Sequence, residues 1–276
     1  QNNASLNILG GDLQIEGTLS LLPGSKITYA SGAVFLNNTN ASLELKGGQL
    51  QLLSNADLNI QVNEGTVDVH SLWNQVDLSF ENGSRLTIEG SNANNTILRI
   101  HEDAMLNESG YANYIKFKNG KIELNENATL LSYQRLLIEN TNTIGEENAS
   151  LRVDYNSLSF LNASVDHCKI ENNYGKISGA NSQFQNNAPL IIRFGNFMIN
   201  ECSFNASSIF SEHLKSLSRI TNSTFENNDV AFSDYSLVEV GMTNCSFNNN
   251  NKAAQKKEEY SPFAALNFHK MEQPWK

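Results

Sequence analysis

Carboxylates and histidines are the residues of this chain whose types could support acid–base chemistry or bind a metal ion. Paired carboxylates at a suitable spacing cleave glycosidic bonds or bind calcium. The chain contains nine Asp and no Asp-Asp pair. Adjacent strand residues face opposite ways, so we expect its polar groups to lie at solvated corners and on outer faces, and we predict no catalytic, metal or cofactor site. The densest groups are His101-Glu102-Asp103, Asp166-His167 and, if neighbouring strands bring them together, Asp229, Asp234 and Glu239.

The elements that would position these side chains are repeated in the second half of the sequence. Five phrases combine a small residue, a large apolar residue two positions later and a following Asn. Residues two apart on a strand point to the same side, and Asn tolerates the left-handed backbone of a tight corner. We therefore expect the large residues to stack as a core ladder. The predicted members are Ile170, Phe184, Phe204, Phe225 and Phe247.

The first half carries the same strand signal in a looser form. Apolar residues two apart, such as Leu43/Leu45 and Leu58/Ile60, recur with glycine-containing corners between them. Three such strands would close one coil. The chain thus predicts an all-β fold, a single parallel β-helix over residues 1–251, with about 12 coils of roughly 21–25 residues. A β-sandwich is the main alternative, and the scarcity of hairpin signals favours the solenoid.

The later repeats resemble the Phe-x-x-Asn repeat of polymorphic outer-membrane proteins. The residues that carry this likeness are Phe184/Asn187, Phe225/Asn228 and Phe247/Asn250. The wider pattern resembles the right-handed parallel β-helix of the pectin-lyase-like superfamily, by motif over residues 165–250 and elsewhere by periodicity. The Gly-His-Gly and Arg-x-Lys motifs of polygalacturonases are missing. The resemblance therefore implies the fold and a surface-exposed role, without a particular activity.

Asparagine makes up 41 of the 276 residues, and many are followed by a small residue and then Ser or Thr. Asn-x-Ser/Thr triplets accept N-linked glycans in secreted proteins, which predicts a glycoprotein. The alternative is that tight corners need Asn and small hydroxylated residues in any case. Asn222 and Asn244 are expected to be poor acceptors because they fall within predicted strands. The predicted glycosylation sites are Asn3, Asn37, Asn40, Asn82, Asn94, Asn107, Asn127, Asn148, Asn162, Asn205, Asn222 and Asn244.

Three cysteines, Cys168, Cys202 and Cys245, occupy the same position of alternate phrases. Two coils between neighbours would separate their Cα atoms by about 9–10 Å, beyond the roughly 7 Å limit for a disulfide. We predict three buried free thiols that act as small hydrophobic residues.

Charge and hydropathy restrict the partners of the chain. The net charge is −10 with scattered Lys and Arg, which disfavours nucleic acid. No apolar run is long enough for a membrane span. The start at Gln1 is consistent with removal of a signal peptide or with trimming. With the glycosylation triplets, these features predict an extracellular or cell-surface location.

The repeat stops after Asn251, and residues 252–276 form a predicted cap or connector with a helix-compatible stretch at its start. An open solenoid end exposes unpaired strands and core residues. This segment would either fold back on its own rod or pair with the first coil of the next subunit, giving end-to-end self-association. The residues expected at such a contact are Leu6, Ile8, Phe263, Phe268 and Trp275.

Two classes of function follow from these features. The first is a non-enzymatic secreted glycoprotein that forms a structural or adhesive surface component, a head-to-tail fibril subunit. The second is a carbohydrate-active β-helix, either a polysaccharide lyase or hydrolase or a sugar-binding module with an extracellular carbohydrate or surface ligand. Aromatic residues that recur could form an outer platform for sugars, or could fill the core and corners. They are Tyr111, Tyr114, Tyr133, Tyr155 and Tyr174.

Overall fold

The computed structural model of the chain describes residues 4–70, 76–110, 114–236 and 238–256. These residues form a parallel β-solenoid of about eleven coils, close to the expected 12. Each complete coil gives one strand to each of three sheets, and strands of successive coils pair in parallel. The predicted all-β parallel β-helix is therefore confirmed.

The strands fall into three sheets, in which every third strand along the chain is a neighbour. The first sheet contains β1 (Ser5–Ile8), β4 (Lys26–Tyr29), β7 (Gln49–Leu52), β10 (Val76–Phe80), β13 (Met105–Gly110), β16 (Thr129–Ser132), β19 (Ser150–Asp154), β22 (Lys169–Asn173), β25 (Leu190–Arg193), β28 (Ile209–Glu212), β31 (Val230–Tyr235) and β34 (Lys252–Lys256). The second sheet contains β2 (Leu13–Ile15), β5 (Gly32–Leu36), β8 (Asp57–Val62), β11 (Arg85–Gly90), β14 (Tyr114–Lys118), β17 (Leu136–Glu139), β20 (Ser157–Leu161), β23 (Lys176–Ala180), β26 (Asn196–Asn200), β29 (Ser218–Thr221) and β32 (Val240–Thr243). The third sheet contains β3 (Thr18–Leu21), β6 (Ser42–Leu45), β9 (Thr66–Val69), β12 (Thr96–Ile100), β15 (Lys121–Leu124), β18 (Asn142–Gly145), β21 (Ser164–Asp166), β24 (Gln183–Gln185), β27 (Ser203–Asn205), β30 (Thr224–Glu226) and β33 (Ser246–Asn248).

Three corners join the sheets, and left-handed residues turn the chain at many of them. We name them the first corner (first to second sheet), the second corner (second to third) and the third corner (third to first). Left-handed asparagines recur at the second corner, where Asn140 and Asn162 have φ of 47° and 49°. At the first corner, the left-handed residues Tyr155, Tyr174 and Phe194 are aromatic. Asn is a common left-handed residue, whereas bulky aromatic residues rarely adopt this conformation.

A ladder of phenylalanines fills the core beneath the third sheet. Phe184, Phe204, Phe225 and Phe247 pair in register on successive coils. Their ring centroids are 4.7 to 5.0 Å apart, with interplanar angles of 7° to 10°. The offset faces of these rings pack against one another at the strand spacing. Four of the five predicted ladder residues thus stack as expected.

Ile170, the fifth predicted ladder residue, does not belong to this ladder. It lies in β22 of the first sheet, where it pairs with Leu190. The residue in register with Phe184 is Val165, in β21. The physical reason is that Ile170 follows the third corner, at His167 with φ of 52°, and so enters the first sheet. The phenylalanines follow the second corner, for example at Asn222 with φ of 50°, and enter the third sheet. Ile170 is nevertheless fully buried in the core.

The Asn of the Phe-x-x-Asn phrase has a structural role in the last coils. Asn228 is 5% exposed, and its Nδ2 donates to the carbonyl oxygen of Phe204 in the preceding coil. Its Oδ1 accepts from the backbone N–H of Ser207. Asn250 repeats the arrangement one coil later by donating to the carbonyl oxygen of Phe225. These amides satisfy backbone groups at a corner where ladder hydrogen bonds end.

The solenoid continues past the predicted boundary at residue 251. Lys252–Lys256 form β34, which pairs with β31 in the first sheet. The helix-compatible pattern at Lys252 is therefore overridden for these residues by strand pairing. Residues 257–276 lie outside the described residues.

One glycine is required by the close approach of two coils at the first corner. A Cβ on Gly175 would lie 1.8 Å from the carbonyl oxygen of Asn156. A contact with backbone this short forces the coils apart. Gly241, by contrast, would place its Cβ 3.8 Å from the nearest atom, which is Cγ of Arg219.

We therefore expect Gly175→Ala to destabilise the rod by about 2 kcal/mol or more. Gly241→Ala is the matched control and should leave the free energy of unfolding nearly unchanged. Denaturant unfolding followed by circular dichroism measures both. Equal unfolding midpoints for the two variants would contradict the prediction, because they would show that the coils at the first corner can move apart without loss of stability.

Candidate functional site

The group His101-Glu102-Asp103 is divided between two environments. Nε2 of His101 lies 3.1 Å from Oδ1 of Asp68, on the preceding coil. Glu102 and Asp103 are exposed at the third corner, and Asp103 accepts a hydrogen bond from Nδ2 of Asn127. The expected solvated corner describes Glu102 and Asp103, while His101 contacts a carboxylate that the sequence did not suggest.

Asp166 and His167 form an outer pair, as expected. Nδ1 of His167 lies 2.6 Å from Oδ1 of Asp166, and the histidine side chain is 55% exposed. The carboxylate also accepts hydrogen bonds from the amides of Gln185 and Asn186. Asp166 is therefore held within a network of amides along the outer face of the third sheet.

Asp229, Asp234 and Glu239 do not converge. Asp234 is 1% exposed in the core, where its Oδ1 accepts from the hydroxyls of Ser211 and Ser236. Asp229 lies at the third corner before β31, whereas Glu239 is exposed at the first corner after it. The strand that connects them directs the three carboxylates to different parts of the coil.

Asp229 instead lines an open groove along the third corner. The groove has a volume of about 490 Å³ and crosses several coils between Lys169 and Asn228. Phe210 and Ser233 lie on its first-sheet side. Its amide, hydroxyl and carboxylate groups beside one aromatic ring are of the kind that bind sugar hydroxyls.

A second ladder of aromatic rings runs outside the rod at the first corner. Tyr155, Tyr174, Phe194 and His213 stack on successive coils with centroids 4.9 to 5.1 Å apart. Tyr155 is 69% exposed. The faces of Tyr174 and Phe194 are directed at neighbouring rings on both sides, whereas Tyr155, the first ring of the ladder, is stacked on one face. Of the predicted tyrosine platform, the stacked members are Tyr155 and Tyr174, and Tyr111 lies outside the described residues.

This geometry favours corner packing over a sugar platform for the tyrosines. Stacking against the next coil offsets the strain of left-handed aromatic residues. The Nζ of Lys215 also lies 5.2 Å from the Tyr174 ring centroid, within cation–π range.

The predicted glycosylation asparagines are exposed wherever their side chains are described. Asn3 lies outside the described residues, and Asn107 is in β13 with no described side chain. Asn222 and Asn244 lie at the second corner with φ of 50° and 53°, so their predicted position inside strands is wrong. The physical reason is that a strand ends where the backbone turns left-handed.

The Asn-Ala-Ser/Thr triplets also have a conformational explanation. Asn127 and Asn148 are left-handed at the third corner, and the alanines after them are 0% and 1% exposed. The Thr or Ser that follows begins the next strand. Corner geometry therefore selects a turn-forming residue, a small buried residue and a strand-forming residue. Glycosylation of these sites stays a prediction.

Several of these asparagines are joined in amide ladders. Nδ2 of Asn148 donates to Oδ1 of Asn127 at 3.1 Å, and Nδ2 of Asn244 donates to Oδ1 of Asn222 at 3.2 Å. Nδ2 is the atom that would carry a glycan. Two acceptors in register are separated by only one coil, about 4.8 Å.

The three cysteines are free, but they do not share one position. Cys202 and Cys245 follow left-handed residues at the second corner, whereas Cys168 follows His167 at the third. Cys168 and Cys202 are buried, and Cys245 is half-buried near the end of the rod. Burial raises the pKa of the Cys168 thiol to about 12 and that of Cys202 to about 11. Both are protonated thiols at neutral pH and therefore poor nucleophiles.

One cluster of metal-ligating residues emerges that the sequence did not predict. Asp68, His70 and His101 offer ligand atoms that all lie within 4.8 Å of one another. The imidazole rings of His70 and His101 stack, with centroids 3.7 Å apart. The sequence signal for this cluster is Asp68-Val69-His70 at the end of a strand. His101 could not be matched to it, because the coil between the two histidines is longer than the usual repeat and their equivalent positions are not evident from residue spacing.

The N-terminal end of the rod exposes apolar residues. Leu6 is 42% exposed and Leu9 is 70% exposed, while Ile8 is half-buried against the core. Leu6 and Ile8 lie on β1, an edge strand within the described residues. The other residues predicted at an assembly contact, Phe263, Phe268 and Trp275, lie outside the described part of the chain.

Comparisons with known proteins assign no family to the chain. No family model matches the chain, and no curated protein matches it either. In the described part of the chain, no helix has the length and hydropathy needed to cross a membrane.

If the chain is glycosylated, neighbours on one ladder should exclude each other. We expect a single molecule expressed through a eukaryotic secretory pathway to carry a glycan on Asn222 or on Asn244, but not on both, because one coil spacing is too short for two sugars. Intact-glycopeptide mass spectrometry of the fragment that contains both sites measures this. Asn82, at the first corner, and Asn162, at the second corner, are the comparison pair, and double occupancy is allowed there because they are several coils apart. Frequent double occupancy at Asn222 and Asn244 would contradict the geometry.

Proposed function

We propose that this chain is a non-enzymatic, extracellular structural or adhesive protein whose rods join end to end. The observation that carries the proposal is that, among the described residues, β1, β2 and β3 are edge strands and lie beside the exposed Leu6 and Leu9. An unpaired strand edge beside apolar surface is a template for pairing with another chain. The occupant we assign to it is a second copy of this chain.

The repeating coil explains why a second copy fits. Every coil pairs through its upper strand edges with the lower edges of the next, in the same three-sheet arrangement. Among the described residues, β32, β33 and β34 form the last edges, and β1, β2 and β3 the first. Stacking one rod on another therefore continues the pairing that already exists inside the rod. Such a head-to-tail contact is heterologous and propagates into a filament.

The sides of the rod are suited to solvent. Ion pairs connect neighbouring coils, for example Arg99 with Glu123 at 2.8 Å and Lys118 with Glu89 at 2.9 Å. The net charge of −10 also opposes lateral contact between rods. Charge on the sides and apolar surface at the end together favour lengthwise association.

The resemblance to known families supports the proposed extracellular location and the proposed structural or adhesive class of protein. The Phe-x-x-Asn phrases are similar to those of polymorphic outer-membrane proteins, and the coil is similar to that of the pectin-lyase-like superfamily. Exposed Asn-x-Ser/Thr triplets are consistent with a secreted, N-glycosylated chain. A surface protein of this kind would present long ladders of amide side chains.

A charge placed on the open end tests the assembly. We expect Leu6→Lys with Leu9→Lys to abolish end-to-end association, because two unpaired ammonium groups would have to be buried between rods. Leu217→Lys is the control, since Leu217 is 44% exposed, like Leu6 at 42%, but lies on the side of the rod. Sedimentation velocity and negative-stain microscopy measure rod length, with an expected axial repeat of about 50 Å.

Two results would overturn the assembly proposal. One is a wild-type chain that stays monomeric at high concentration, and the other is a Leu6/Leu9 variant that assembles as well as the wild type. Removing residues 257–276 while keeping β34 adds a further comparison. If this truncated chain forms equally long filaments, the tail is not the connector, and the strand edges alone make the contact.

The groove at the third corner favours a second candidate function, sugar binding or cleavage. We expect Asp229→Ala and Phe210→Ala to reduce any binding of oligosaccharides at least tenfold, since they would remove a polar partner and an aromatic surface from the groove. Exposed Asp57, in the second sheet, supplies the control Asp57→Ala. A glycan array followed by calorimetry measures binding. Depolymerisation of an acidic polysaccharide that Asp229→Asn abolishes would replace the non-enzymatic proposal.

A further inference from the structure

Two histidines occupy equivalent positions on successive coils at the start of the third corner. The backbone N–H of His70 donates to the carbonyl oxygen of Leu45, and that of His101 donates to Val69 one coil later. Their rings are stacked with an interplanar angle of 17°. The pairing of Val69 with Ile100, directly before the two histidines, holds the imidazoles beside each other, so little conformational entropy remains to be lost when both bind one ligand.

Asp68 supplies a carboxylate to the same place. It lies two residues before His70, on the same outer face of β9, and is 8% exposed. Its Oδ1 is 3.1 Å from Nε2 of His101, while its Oδ2 accepts a hydrogen bond from the hydroxyl of Ser42 at 3.1 Å. A ligand carboxylate oriented by a neighbouring hydroxyl is a typical feature of metal sites.

We propose that Asp68, His70 and His101 bind one divalent first-row transition-metal ion such as Zn²⁺. The three ligand atoms lie within 4.8 Å of one another, so small rotations of the two rings bring them to bonding distance of a single ion. Two imidazoles and one carboxylate suit zinc, copper and nickel, whereas calcium and magnesium prefer oxygen ligands alone. The exposed part of His101 leaves a coordination position open to water.

The surrounding charges allow a cation to enter. Arg99 contacts Asp68 at 3.4 Å but holds Glu123 more closely, at 2.8 Å. Lys46 is paired with Glu44 at 2.6 Å. Arg99 and Lys46 therefore each keep a carboxylate contact when a metal takes Asp68, although Arg99 shares Glu123 with Lys121.

Titration of the full chain with zinc chloride tests the site. We expect one Zn²⁺ per chain by isothermal calorimetry, and at least a tenfold weaker affinity in His70→Asn, His101→Asn and Asp68→Asn. His167→Asn is the matched control: His167 also contacts a carboxylate, that of Asp166, but no second histidine of the described residues joins it in a metal-ligating cluster, and its loss should leave the affinity unchanged.

Folding of the variants is checked by the midpoint of thermal unfolding without metal. A bound ion stabilises the folded rod, so zinc should raise this midpoint for the wild type and for His167→Asn, but not for the three site variants. Absence of zinc binding by the wild-type chain would overturn the proposal. Undiminished binding by both His70→Asn and His101→Asn would do so equally.

Discussion

The structure depends on one constraint, which is that each coil is completed by its neighbours. A single coil has only three short strands, and their backbone groups find partners on the coils above and below. The apolar residues of one coil likewise cover those of the next, as the phenylalanines of the third sheet show. A fold built in this way is repetitive in space even where its sequence is irregular, because register is preserved coil after coil.

The same constraint arranges the surface chemistry in columns. Side chains in register lie about 4.8 Å apart, so similar groups become neighbours along the rod. Neutral amides tolerate this well, since each can donate and accept, and the asparagine ladders result. Charged groups must alternate in sign, as Asp68, Arg99 and Glu123 do. The column that contains the two adjacent histidines departs from these solutions, and the proposed metal site lies there.

The same dependence on neighbouring coils leaves the ends of the described rod with unpaired strand edges. Pairing satisfies every interior coil, but the terminal coils retain strand edges that pair with only one neighbour in the described residues. Edges of this kind are normally covered or charged in proteins that remain separate. Exposed Leu6 and Leu9 have neither protection in the described part of the chain, and this is why the proposed end-to-end contact is assigned to them.

The sequence by itself determined the fold class and much of the core. Alternating apolar residues, turn-forming asparagines and a recurring Phe were enough to predict a parallel β-helix and four members of its phenylalanine ladder. These predictions succeeded because strand alternation and left-handed corners are local properties of the chain.

Only the tertiary structure decided which residues of neighbouring coils are in contact. Ile170 and Cys168 resemble residues of the repeat, yet a corner at His167 places them in another sheet. The approach of His101 to Asp68 and His70 was equally hidden, since coil length varies and contacts across coils depend on register. A change of a few residues in one corner shifts which sheet a side chain belongs to, and this register is fixed by long-range backbone pairing that no local pattern encodes.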